Sequence, residues 1–140
     1  MKTNLTKEIE IMARHRLIKH PAFDMLLDEV GLPNKKLVDL MLYNINTKIW
    51  RCYEIKVSVS DFHSPNGHDF VGNYNYYILT REVYEHVKDE IPDYVGVYLS
   101  DRMYEPVKKA KKQEIKFSKE EMLYSFAKRA YHKWQKEGKK

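Results

Sequence analysis

The chain has 140 residues and a formal net charge of +5, with 43% apolar and 32% charged residues, the balance of a soluble globular chain long enough to bury one core. No apolar run approaches the roughly 20 residues of a membrane span, and Lys2, Lys7, Glu8 and Glu10 break up any leader-like N-terminus, so the expectation is a single cytoplasmic domain over residues 1–140. The lone Cys52 excludes an internal disulfide and a multi-cysteine zinc site, and its place in an apolar run predicts a buried thiol.

Helical spacing of Ile9, Met12, Ala13 and Leu17 predicts a first helix from Thr3 to His20. Pro21 restarts the chain. Phe23, Leu26, Leu27 and Val30 then form a stripe that predicts a second helix, Ala22 to Val30, ended by Gly31 and Pro33. Two apolar runs, Leu37 to Tyr43 and Ile49 to Val59, read as a β-hairpin around polar turn material at Asn44, Asn46, Thr47 and Lys48. With the turn centred on Asn46-Thr47, paired numbers sum to 93 and Asp39 faces Glu54. Alternation puts Lys56 on the face of Glu54.

Residues 61–72, with Pro65, Asn66 and Gly67, read as a loop or broken helix over this region. Tyr74 to Thr80 is a buried strand, Arg81 to Ile91 a helix stopped by Pro92, and Tyr94 to Leu99 a fourth strand parallel to the third. A charged connector, Lys108 to Lys116, leads to a basic C-terminal helix at 118–137. That helix opens on a Ser118/Glu121 capping box, and Met122, Leu123, Phe126, Ala127, Ala130, Tyr131 and Trp134 give it a wide apolar face for docking. The expected fold class is α/β, a four-stranded mixed sheet flanked by helices.

Charge is unevenly spread. Residues 108–140 hold twelve Lys and Arg against four Asp and Glu, a balance of +8 that leaves −3 on residues 1–107. A basic third suits a polyanion, and Lys108, Lys109, Lys111 and Lys112 are the candidate phosphate contacts. Two carboxylates facing each other across a ladder are destabilising without a positive charge between them, and a hard divalent cation is a common remedy.

An acidic residue on one strand followed by E-x-K on the next (Asp39, then Glu54-Ile55-Lys56) resembles the PD-(D/E)XK nuclease superfamily. The run Lys56, Ser58, Asp61, Phe62 and the later Asn75-Tyr76-Tyr77-Ile78-Leu79, Pro92 and Gly96 are similar to MmcB-like DNA-repair proteins. The resemblance covers roughly residues 36–100, and Val38 stands where the superfamily motif has its Pro. It implies a restriction-endonuclease-like core and Mg²⁺- or Mn²⁺-dependent hydrolysis of phosphodiester bonds, with nucleic acid, DNA first, as partner. Asp39, Glu54 and the Ile55 carbonyl would be metal ligands, and Lys56 would stabilise charge on the phosphate or orient water. Glu8 or Glu10 would be the N-terminal acid, and Ser58 and Asp61 neighbours of the site.

Bland readings stand beside these: an ordinary strand ion pair for Glu54 and Lys56, a solvated helix face for Glu8 and Glu10, a turn cap for Asp61, loop histidines for His63 and His68. A non-catalytic nucleic-acid-binding module on the same fold is the alternative function, and a nuclease for structured RNA another. Exposed aromatics could join two copies as a homodimer.

Overall fold

The computed structural model describes residues 2–139. Thr3 caps α1 (Asn4–Arg16) by accepting a hydrogen bond from the Thr6 amide, and the helix buries Ile9, Glu10 and Ala13. Met12, counted into the stripe, is exposed. The helix ends four residues before His20, because the Asp24 carboxylate takes the Lys19 and His20 amides and turns the chain into a strand.

That strand corrects the second helix. β1 (Asp24–Gly31) pairs antiparallel with β2 (Leu37–Asn44) through a turn at Leu32–Lys36, in which Lys35 adopts φ +68°. The spacing of Phe23, Leu26, Leu27 and Val30 suits a helix, yet Leu26 and Leu27 pack into hydrophobic clusters on opposite faces of the sheet. An eight-residue partner strand one tight turn away offers a complete ladder, and that tertiary pairing outweighs local periodicity. The sheet therefore has five strands rather than four.

β3 (Ile49–Lys56) pairs antiparallel with β2 in the expected register: Leu40 faces Tyr53, Met41 faces Cys52 and Leu42 faces Arg51. It ends three residues short of Val59, where Ser58 caps α2 (Val59–His63). β4 (Tyr74–Leu79) runs parallel to β3, and α3 (Arg81–Val87) with a 3₁₀ turn at Lys88–Glu90 leads to β5 (Val95–Leu99), parallel to β4. The strand order is β1-β2-β3-β4-β5.

One face of the sheet, with Leu40, Leu42, Tyr53, Ile55, Tyr76 and Ile78, is covered by α1. The other packs Tyr77 and Leu79 near α3, and Met41, Tyr43 and Trp50 against α4 (Lys119–Gly138). Between β5 and α4 the basic connector lies along the sheet edge, with Lys108 bridged to Val97 and the Gln113 and Lys116 amides bonded to the Asn73 and Val71 carbonyls. Gly96 permits the approach, since a Cβ there would stand 2.7 Å from the Ala110 nitrogen.

α4 docks by less of its surface than its sequence suggests. Met122, Ser125 and Phe126 are buried, with Phe126 edge-on to Trp50, but Leu123, Tyr131 and Trp134 are exposed. Among the described residues, no helix is long and apolar enough to cross a membrane.

Candidate functional site

β2 and β3 part company beyond the Leu40–Tyr53 pair, and Asp39 and Glu54 fill the gap. The Asp39 amide donates to Glu54 Oε1 at 2.9 Å, and the Ile55 amide donates to Asp39 Oδ2 at 2.8 Å. Each carboxylate thus satisfies backbone of the opposite strand where the ladder fails. The second oxygen of Glu54, Oε2, is buried with no hydrogen-bond partner. Burial pushes the Glu54 carboxyl up to about 9, and the neighbouring Asp39 charge pushes the same way. Asp39 is also raised, by burial, against the pull of the Ile55 amide and Lys56.

Lys56 is 4% exposed. Its ammonium donates to the Asn66 carbonyl at 2.8 Å and lies 3.8 Å from Asp61 Oδ1. A Cβ added to Gly67, whose φ is +77°, would strike Lys56 Nζ and come within 3.3 Å of Glu54 Oε2. The loop at 64–72 therefore closes over the orphan oxygen and the ammonium together, and glycine is what lets it sit so low. Its His68 serves packing, bonded to the Tyr77 hydroxyl at 2.6 Å and the Ser64 carbonyl at 2.8 Å, while His63 at the end of α2 pairs with Glu90.

A second acidic group adjoins the first. Glu29, with φ +49°, breaks the β1–β2 ladder between the Asp28–Leu40 and Val30–Val38 pairs, level with Asp39. Lys2 bonds Glu10 at 2.5 Å and Glu29 at 2.6 Å, with Asp28 at 3.8 Å. Burial works to lower the Lys2 ammonium, but its bonds to Glu10 and Glu29 raise it overall. Asp28 also takes Lys133 at 2.7 Å and Arg129 at 3.4 Å from α4.

Asp39, Glu54, Ile55 and Lys56 are therefore brought together. Glu10 faces the cluster, whereas Glu8 is exposed on the outer side of α1. Asp61 borders Lys56, and Ser58 caps α2 by accepting from the Asp61 amide. Lys108, Lys109, Lys111 and Lys112 do not join the carboxylates: the connector bonds Tyr94 and Asn73, at the starts of β5 and β4, while Lys56 and Leu79 mark the strand ends. Sequence reasoning missed Lys2, Asp28 and Glu29. The two acids were assigned to a helix, and no local pattern announces a lysine that folds back from the chain start.

Among the described residues, no three His, Cys, Asp or Glu side chains form a ready-made metal cage. A cation here would take oxygens from Asp39 and Glu54, with substrate or water completing its shell, as Mg²⁺ commonly does. The orphaned Glu54 Oε2, a hard oxygen donor beside a second carboxylate, fits that demand.

The chain has a mixed α/β fold with a five-stranded mixed sheet flanked by helices. No protein-family model matches the chain, and no curated protein does. Among solved structures it is similar to SPO1766, a protein of unknown function from Silicibacter pomeroyi, with a TM-score of 0.72 over 96% of this chain and 92% of that one. The two are 15% identical, so the likeness concerns the fold alone.

Proposed function

We propose that the chain is a Mg²⁺- or Mn²⁺-dependent nuclease that hydrolyses phosphodiester bonds of DNA, built on a restriction-endonuclease-like core and serving DNA repair or processing. One observation carries the reading: a buried, partnerless carboxylate oxygen on Glu54, beside Asp39 and sharing the Gly67 loop's cover with the Lys56 ammonium. A carboxylate held without a partner is costly to ionise and is relieved by a cation.

A bound cation supplies Lewis acidity and a more acidic water. Asp39 and Glu54 would hold that cation, and each is itself tied to backbone of the facing strand. Lys56, held by the Asn66 carbonyl and Asp61, presents positive charge where a phosphoryl oxygen gains negative charge. Preorganisation follows from that tether, since the ammonium has little freedom to lose. Glu10 also raises the cost of ionising Asp39, but its own charge is paired with Lys2.

A binding module without catalysis is favoured by one feature, the Lys2 ammonium already seated between Glu10 and Glu29. A nicking assay on supercoiled DNA separates the two. Mg²⁺ should support cleavage that EDTA abolishes, and Glu54→Gln and Lys56→Met should each cut roughly 10²-fold more slowly or worse. Equal rates for wild type and both variants would leave the module reading in place of the enzyme.

A further inference from the structure

The sheet face opposite Glu54 carries a cavity of about 310 Å³ that the carboxylate cluster does not line. Tyr53, Tyr76 and Tyr98 line it, and their rings pack on one another, Tyr53 stacked on Tyr76 at 5.3 Å between centroids and Tyr98 tilted against Tyr76 at 5.0 Å. All three are more than nine-tenths buried, at 1%, 8% and 5% exposure. Among the described residues the Tyr53 and Tyr98 hydroxyls take no hydrogen-bond partner, while the Tyr76 hydroxyl has the Arg51 side chain beside it. Buried phenols ordinarily find a partner, so two left open beside a third that meets only Arg51 point to a ligand with several acceptors.

Charge at the cavity selects an anion. Arg51 from β3, Lys109 from the connector and Lys19 after α1 all line it, and none forms an ion pair among the described residues. Lys108 and Lys111, their neighbours in sequence, are occupied by the Pro92 carbonyl and Asp93. The one acid on the wall, Asp24, spends its oxygens on the Lys19 and His20 amides and on Asn44. Three cations against one acid leave a surplus of two, matching a dianion. Arg51 lies over the Tyr74 ring, 5.2 Å from guanidinium to centroid, which holds it in place.

We infer that this cavity binds a phosphomonoester, its phosphate taken by Arg51, Lys109 and the tyrosine hydroxyls. A guanidinium, an ammonium and hydroxyl donors together match the several oxygens of a tetrahedral dianion better than the two of a carboxylate. The volume equals that of about ten waters, which leaves room for the sugar attached to the phosphate. The inference does not depend on cleavage, because the tyrosines face away from Glu54. The phosphate could belong to a strand end or to a free mononucleotide.

The test titrates the intact protein with a short 5′-phosphorylated oligodeoxynucleotide, the same strand ending in a hydroxyl, free dAMP, and inorganic phosphate. The phosphorylated strand or dAMP should bind about tenfold or more tightly than the hydroxyl-ended strand, the effect expected of a charge-assisted contact. Lys109→Gln, at an exposed position, and Tyr76→Phe, which keeps the ring, should each erase most of that preference, and Glu54→Gln should leave it intact. Tight binding of dAMP assigns the cavity to free nucleotides; a preference confined to the strand assigns it to strand ends. Either supports a phosphomonoester site. Equal binding of both strands with dAMP silent would overturn it, as would inorganic phosphate matching dAMP, which would reduce the cavity to a bare oxyanion site.

Discussion

Glu54 takes up its proton near 4.5 when solvated and near 9 in the fold, because burial and the Asp39 charge both oppose its ionisation. Between those limits the native state holds more protons than the unfolded chain, so this group makes stability fall as pH rises. Asp69 adds to the same opposition and Lys56 counters it. In EDTA, the melting temperature should decline from about pH 5 to about pH 9, and Glu54→Gln, isosteric but without the ionisation, should flatten the decline. Mn²⁺ should raise the melting temperature more at the upper end of that range, since metal binds the deprotonated form. Parallel pH curves for wild type and Glu54→Gln would show that the orphan oxygen is not the titrating group. Lys2 belongs at this scale too: its single ammonium bridges Glu10 and Glu29, whereas the Glu54 oxygen has no such partner.

Elements place these residues by the points where they stop pairing. The β1–β2 ladder is interrupted at Glu29 and the β2–β3 ladder ends at Leu40, so acids from neighbouring strands meet where backbone bonds are missing. α4 supports that corner, with Arg129 donating to the Asp28 carbonyl at 2.7 Å and Phe126 seated on Trp50. Phe126→Ala should cost about 3 kcal/mol or more of unfolding free energy, the usual loss for a buried phenylalanine. Trp134→Ala, at 69% exposure, should cost under about 0.5 kcal/mol. Similar losses in chemical denaturation would mean that α4 docks over its full length.

The hairpin holding Asp39 and Glu54 was legible in the sequence because polar turn residues fixed its centre, and the pairing register followed from that. The strand-helix-strand run after it was legible for the same reason, with Thr80 and Pro92 marking its joints. β1 was not. Its apolar spacing is that of a helix, and only the partner strand overrides it. The apolar face of α4 was overread, since periodicity reports which residues share a side and says nothing of how far the sheet beneath them extends.

Across the whole molecule, basic and acidic surfaces separate. The connector lysines lie toward the starts of the parallel strands and the carboxylates at their ends, about 17 Å apart along a six-residue strand. A nucleic-acid strand touching both must span the length of β4, a few nucleotides. Lys108 and Lys111 are held by the Pro92 carbonyl and Asp93, whereas Lys109 and Lys112 have no such partners among the described residues. Lys109→Gln and Lys112→Gln should each lower the slope of log affinity against log salt by about 0.9 on duplex DNA. Point substitution is the appropriate tool, because deleting residues 108–116 would strip the hydrogen bonds that cover the sheet edge. A slope unchanged in the double variant would place the phosphate contacts elsewhere.

Diffraction from crystals grown with Mn²⁺, collected for anomalous signal, shows whether Asp39 and Glu54 hold a metal ion between them. One strong peak is expected between the Asp39 and Glu54 carboxylates, with metal–oxygen distances of about 2.1 Å, and its loss in Glu54→Gln. An empty gap at saturating Mn²⁺, or a peak held only by Glu10, Asp28 and Glu29, would contradict it.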